Sequence, residues 1–170
     1  MRSRLLSLCI QGQARIAQVE HNIIFCTFGS TMSSVAIGID LGTTFSVVAY
    51  VNKYNSPEII PNEEGKTITS SVIFFDKDQI VVGADAERSG VAHPEQVVQF
   101  VKRYMGDPDF KFQYGGKEWN AVELSAQILK ALVRSASKKL KQEVTEAVIT
   151  VPAYFGQNER KATIQAAEAI

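Results

Sequence analysis

The stretch "IGIDLGTTFSVVAYV", residues 37–51, constrains the fold of this chain more than any other. Two apolar runs rich in β-branched and aromatic residues flank the short link "LGTT", and runs of that kind form strands. So short a link folds them back on each other as a hairpin. Both runs are apolar at nearly every position, which predicts strands covered on both faces of a sheet. Side chains alternate along a strand, so Gly38 and Asp40 share one side while Ile37 and Ile39 take the other. Asp40 then stands at the end of its strand, beside a glycine turn.

That turn has the chemistry of a phosphate and metal cradle. Gly42 permits unusual backbone angles and lets a ligand approach the chain. Successive backbone N–H groups in such a turn can converge as an anion nest, to which the hydroxyls of Thr43 and Thr44 add donors. A carboxylate beside the nest repels phosphate unless a divalent cation lies between them. One carboxylate holding a hydrated Mg²⁺–nucleotide fits the preference of Mg²⁺ for oxygen ligands and retained water. The competing reading is a hairpin in which the aspartate and glycine only shape the turn. There is no G-x-x-x-x-G-K-[ST], no G-x-G-x-x-G and no H-E-x-x-H, so no rival phosphate or zinc motif is present. His21 and His93 lie far apart in sequence, and neither reads as a ligand or nucleophile.

Charge narrows the partners. Lys plus Arg and Asp plus Glu number 18 each, for a formal net charge of +0, which argues against nucleic acid and anionic membranes. Hydrophobic residues at 45% and charged residues at 21% suit a packed globular domain, and no apolar run is long enough to span a bilayer. Cys9 and Cys26 are the two cysteines; 32–170 has none, which excludes a disulfide framework or cysteine metal site there.

Residues 1–31 have no steady helical or strand period, and Met32 is followed at once by the domain's opening "SSVAIGIDLGTT". The expectation is that 1–31 is upstream sequence from a start placed too early, without structure. A targeting segment is the second reading, because Arg2, Arg4 and Arg15 precede the first acid, Glu20; a structured extension is the third. Downstream, "IIPNEEGKTITSSVIFFDKDQIVVG" reads as short strands with a hairpin tip at "DKDQ". A short helix is expected over "ADAERSG", ended by Gly90, and another over 97–106, ended by Gly106. The longest helix is expected at about 121–141, with Leu124, Ile128, Leu132 and Ala136 on one face. Asn120 and Glu123 have the spacing of a capping box. "EAVITVP" reads as a buried strand stopped by Pro152, and the last helix runs to the end of the chain, which reads as a truncation.

Four segments, "AIGIDLGTTFSVVAYV", "NEEGKTITSSVIF", "VKRYMG" and "EAVITVPAYFGQNERKAT", occur in an order that resembles the nucleotide-binding domain of the heat-shock protein 70 chaperone family. Together they span nearly all of 33–170, and sugar kinases that share the opening turn lack "VPAYF". The resemblance implies an α/β, actin-like ATPase (ribonuclease-H-like) fold with a mixed sheet and flanking helices, of which 32–170 is the first lobe only. It implies ATP or ADP with Mg²⁺ as cofactors. Asp40 matches the aspartate that holds Mg²⁺ through water; Gly42, Thr43 and Thr44 match the first phosphate loop, and Phe45 stands where tyrosine is common. Lys102 matches the lysine that reaches the γ-phosphate and the attacking water; a positioned cation suits phosphoryl transfer. Pro152 and Arg160 match a relay of nucleotide state to a neighbouring domain. Ser70 and Thr67 depart from the family, which often has proline and arginine at those places.

By the same resemblance the second phosphate loop and the peptide-binding domain lie beyond Ile170, so the chain alone is expected to be inactive. The longer protein would take unfolded polypeptide clients, J-domain co-chaperones and nucleotide-exchange factors as partners, in the cytoplasm, or in an organelle matrix if 1–31 is a transit peptide. A sugar kinase of the same superfamily and an actin-like filament protein are the alternatives.

Overall fold

A computed structural model describes residues 19–20, 22–27, 35–77 and 79–170. Cys9, His21, Met32, Asp78 and the arginines before residue 16 lie outside the described residues. The expected hairpin is the centre of the molecule: β3 (Val35–Asp40) runs antiparallel to β4 (Phe45–Val51), with Ile37 opposite Tyr50 and Asp40 opposite Val47. β5 (Pro57–Ile59) extends the sheet beyond β4, and β6 (Thr69–Ser70) pairs with the start of β4. On the other side β12 (Val144–Thr150) lies parallel to β3, with Thr150 beside Asp40, while β10 (Phe112–Tyr114) and β11 (Lys117–Trp119) form a separate hairpin. The mixed sheet with flanking helices expected for one lobe of an actin-like fold is the architecture observed.

Ile37 and Ile39 are 0% and 1% exposed, while Asp40 is exposed. The prediction that both faces of the hairpin are covered is corrected. Burial alternates along β4, where Ser46 and Val48 are buried and Val47 and Ala49 are half-buried. The apolar run reflects β-propensity as much as burial.

Two helices pack on each other and join one core with the inward side chains of the sheet. The helix at Ala121–Leu140 matches its expected span, with Leu124, Ile128, Leu129, Leu132 and Ala136 buried. Its capping box is formed: the Asn120 carboxamide accepts from the Glu123 amide at 2.9 Å, and the Glu123 carboxylate accepts from the Asn120 amide at 3.0 Å. In chain order it is α2, after α1 (Ala84–Ala92) and before α3 (Gln157–Glu168). Among the described residues no helix is long and apolar enough to cross a membrane.

Two local expectations fail. Residues 97–106 do not form a helix: Val97–Gln99 is a strand, β9, on β7 (Val72–Asp76), which also pairs with β8 (Gln79–Val82). Phe100 then turns through left-handed backbone at φ 59 into a 3-10 turn, Val101–Tyr104. Strand pairing of "VVQ" overrides the local helical pattern. Gly90 does not end α1, which runs through it. A Cβ there would come within 2.7 Å of Val97 Cγ2, so the glycine serves packing rather than capping.

The expectation of an unstructured segment before Met32 does not hold for Ile23–Thr27. These residues form β2, antiparallel to β12 from Ile23–Thr150 to Thr27–Glu146, with β1 (Val19–Glu20) outside it. Ile24 is 0% and Cys26 7% exposed. Five residues are too few for periodicity to reveal, and pairing with a distant strand decides their structure.

Burial, with a smaller push from Glu168, raises the Cys26 thiol from its ordinary 9.0 to about 12. At pH 8 a Cys9→Ser variant should therefore resist thiol reagents until it unfolds. Because the folded-state value is raised, the stability Cys26 contributes is complete below pH 9.0 and is lost as pH climbs towards about 12. Labelling in native buffer at the rate of a denatured control would show that β2 is not docked.

Candidate functional site

The site gathers at the end of β3. Thr150 donates its hydroxyl to Asp40 Oδ1 at 2.9 Å across the parallel β3–β12 pair. This fixes one carboxylate oxygen, and no hydrogen bond among the described residues engages the other. Thr150 carries no motif signal; it becomes visible only when the register between strands 110 positions apart is known.

The turn after Asp40 is built by close backbone approach. Gly42 does not have positive φ, which corrects the expectation that it supplies special angles. A Cβ there would lie 1.9 Å from the Phe45 carbonyl oxygen, so no side chain fits. The nest is also narrower than expected, because the Gly42 N–H donates to Ser46 Oγ at 3.2 Å. The Thr44 carbonyl accepts from the Ser71 amide at 2.8 Å. Thr43 is half-buried, whereas Thr44 and Phe45 are exposed.

Lys102 reaches this turn from the 3-10 segment 61 residues away and donates its ammonium to the Leu41 carbonyl. Its Nζ stands 5.6 Å from the centroid of the Phe155 ring. Burial holds the ammonium below its ordinary lysine range, and the negative charge of Asp40 opposes that shift. Asp40 with its turn, and Lys102, which only the family resemblance singled out, are thus brought together.

Pro152 and Arg160 belong to the next layer. The Phe155 amide donates to the Pro152 carbonyl at 3.1 Å, and Arg160 Nε donates to the Phe155 carbonyl at 2.9 Å. Phe155 therefore touches Lys102 with its ring and both relay candidates with its backbone. It lies inside the "VPAYF" segment, yet sequence reasoning gave it no role. Arg160 also donates to the Asn22 side chain at 2.6 Å, and the Val151 amide donates to the Asn22 carbonyl at 2.9 Å. The turn before β2 thus grips the end of β12 and α3.

Among the described residues no three His, Cys, Asp or Glu side chains cluster as a metal cage. A lone exposed carboxylate with one oxygen anchored suits a hydrated Mg²⁺ that takes its other ligands from water and phosphate. The residues present fit that group. Lys102, bonded to the Leu41 carbonyl next to Asp40, adds a cation beside the turn.

The chain matches the family described as "Hsp70 protein" over residues 36–111 and 107–170. It is 43% identical over 136 residues to "Chaperone protein DnaK" of Halobacterium salinarum, covering 80% of this chain and 22% of that protein. It is 45% identical over 131 residues to the protein of that name from Thermotoga neapolitana, covering 76% of this chain and 22% of that one. The chain thus spans 22% of the length of these curated relatives.

Proposed function

The chain belongs to the heat-shock protein 70 family, and from that premise we propose that it supplies one wall of an ATP site whose hydrolysis drives a protein-folding chaperone. The juxtaposition of Asp40, the 41–44 turn and Lys102 carries this reading. Asp40 would hold a hydrated Mg²⁺, which would supply charge neutralisation to the phosphates. Thr43 and Thr44 offer hydroxyl and amide donors to the phosphates. Lys102 exchanges the Leu41 carbonyl for the γ-phosphate and the attacking water. Phosphoryl transfer depends mainly on such positioning and charge stabilisation. Pro152 and Arg160, joined through Phe155, transmit nucleotide state onward. Unfolded polypeptide, J-domain co-chaperones and exchange factors are the partners proposed for a longer protein carrying this domain, and the cytoplasm is its proposed location. No observation favours a sugar kinase or a filament protein.

A single exposed wall is screened by water and salt over a Debye length of about 8 Å. Nucleotide should accordingly bind this chain no tighter than roughly 1 mM, with no phosphate release above background. A ¹⁵N-NMR titration with Mg·ATP should move the amides of Gly42, Thr43 and Thr44 and the signals of Lys102. Asp40→Asn should remove the Mg²⁺-dependent part. In the longer protein Lys102→Ala should cripple hydrolysis and leave binding measurable. Shifts that are absent from the turn, or identical without Mg²⁺ and in Asp40→Asn, would overturn the reading.

A further inference from the structure

Beside the 41–44 turn lies a buried polar contact. Ser46 and Ser71 are 0% and 2% exposed, and their hydroxyl oxygens are 2.9 Å apart. Each serine also holds the turn: Ser46 Oγ accepts the Gly42 N–H, and the Ser71 amide donates to the Thr44 carbonyl. Ser71 sits at the joint between the two sheets, directly before β7, where Val72 pairs with Gln99 of β9. Gln99 leads through Phe100 to Lys102. One ladder step therefore separates the hydroxyl pair from the strand that delivers the lysine.

We propose that the Ser46–Ser71 pair is a positioning device that registers the phosphate turn against the strand carrying Lys102; its link to phosphate rests on the nucleotide reading above. Two buried hydroxyls are a poor choice for closing a sheet joint by packing alone. Alanine nearly matches serine in volume and brings no polar group to desolvate, and replacing both partners of a buried hydrogen bond can be close to neutral. The hydroxyls gain a purpose through the Gly42 N–H, which needs an acceptor once the turn folds so tightly on Phe45. The chain Gly42–Ser46–Ser71–Thr44 closes into a small loop of hydrogen bonds. Moving either serine shifts both the donors of the turn and the base of the Lys102 segment. Buried at 0% and 2% exposure, these serines act only through the groups they hold.

The test uses the intact chain and reads amide hydrogen exchange without nucleotide, followed by Mg·ATP titration. In the wild type the Gly42 amide should be protected. Ser46→Ala should speed its exchange by about tenfold. Ser71→Ala should do the same and also shift the Lys102 side-chain signals, whereas Ser71→Thr should preserve both. The double Ala variant should add little to either single one, since the two act as one unit. The Mg·ATP dissociation constant should rise by about three- to tenfold in the Ala variants. An unprotected Gly42 amide in the wild type overturns the proposal, even if the variants fail to fold. Variants that lower only the melting temperature, with Gly42 exchange and Lys102 signals unchanged, also overturn it by showing a structural role alone. If exchange responds as expected but the wild type shows no Mg·ATP shifts, the positioning role stands and the nucleotide reading fails.

Discussion

Gly42→Ala is expected to abolish the Mg·ATP response of Thr43 and Thr44 and to destabilise the chain by about 3 kcal/mol, the upper range for overpacking. The new Cβ would sit 1.9 Å from the Phe45 carbonyl oxygen and 3.0 Å from its carbon, and both are backbone atoms that cannot swing aside. Phe45 begins β4 and pairs with Ser70, so the turn must open instead. Opening separates the Gly42 N–H from Ser46 and the Thr44 carbonyl from Ser71, and it carries away the Leu41 carbonyl to which Lys102 is bonded. Gly38→Ala is the matched control: its Cβ would meet only the Ala49 carbonyl oxygen at 3.9 Å, an ordinary contact. It should change stability by about 1 kcal/mol or less. Urea unfolding and the amide spectrum of residues 41–46 check both variants. A Gly42→Ala spectrum that keeps the wild-type turn would show that the close approach has been overstated.

The second large effect concerns β2. Ile24 is fully buried at the edge of the core, so Ile24→Ala should cost about 2–4 kcal/mol in lost burial and residual cavity. That cost has a ceiling. Once it exceeds the free energy of docking, β2 detaches and further damage in the strand has no further effect. Ile24→Asp and a variant lacking residues 1–31 should therefore melt at the same temperature, on the order of 5–10 °C below the wild type. Both should also make the edge of β12 available for pairing with other chains. If the shortened variant melts with the wild type, β2 contributes nothing to the fold and its pairing with β12 is incidental.

These two residues also mark the limits of what could be read from the sequence. The Asp40 turn was legible because a carboxylate, a glycine and two hydroxyls between apolar runs form a local pattern. The α2 helix was legible for the same reason: its apolar stripe and its Asn120–Glu123 capping box lie within a few residues of each other. The reason for Gly42 was not legible, since it depends on a backbone approach of the returning strand rather than on φ. Thr150, Ser46, Ser71 and Phe155 were missed because each acquires its place from a partner elsewhere in the chain. Val97–Gln99 and Ile23–Thr27 were misread because short strands are decided by the strand beside them.

The pairing of β2 with β12 also sets an order of events. Thr27 is opposite Glu146, and Asn22 reaches Arg160 across 138 positions. On a ribosome moving at roughly 5–20 residues per second, Ile23–Thr27 emerges on the order of ten seconds before its partner strand exists. During that interval "IIFC" is an unpaired apolar segment, open to any sheet edge or hydrophobic surface nearby. Closing so long a loop is entropically costly and slow, and contacts of such high sequence separation retard folding. The sheet of this chain is thus finished by a strand made well before its partner, and its newborn state carries an exposed apolar strand of the kind that other chains must be kept from capturing.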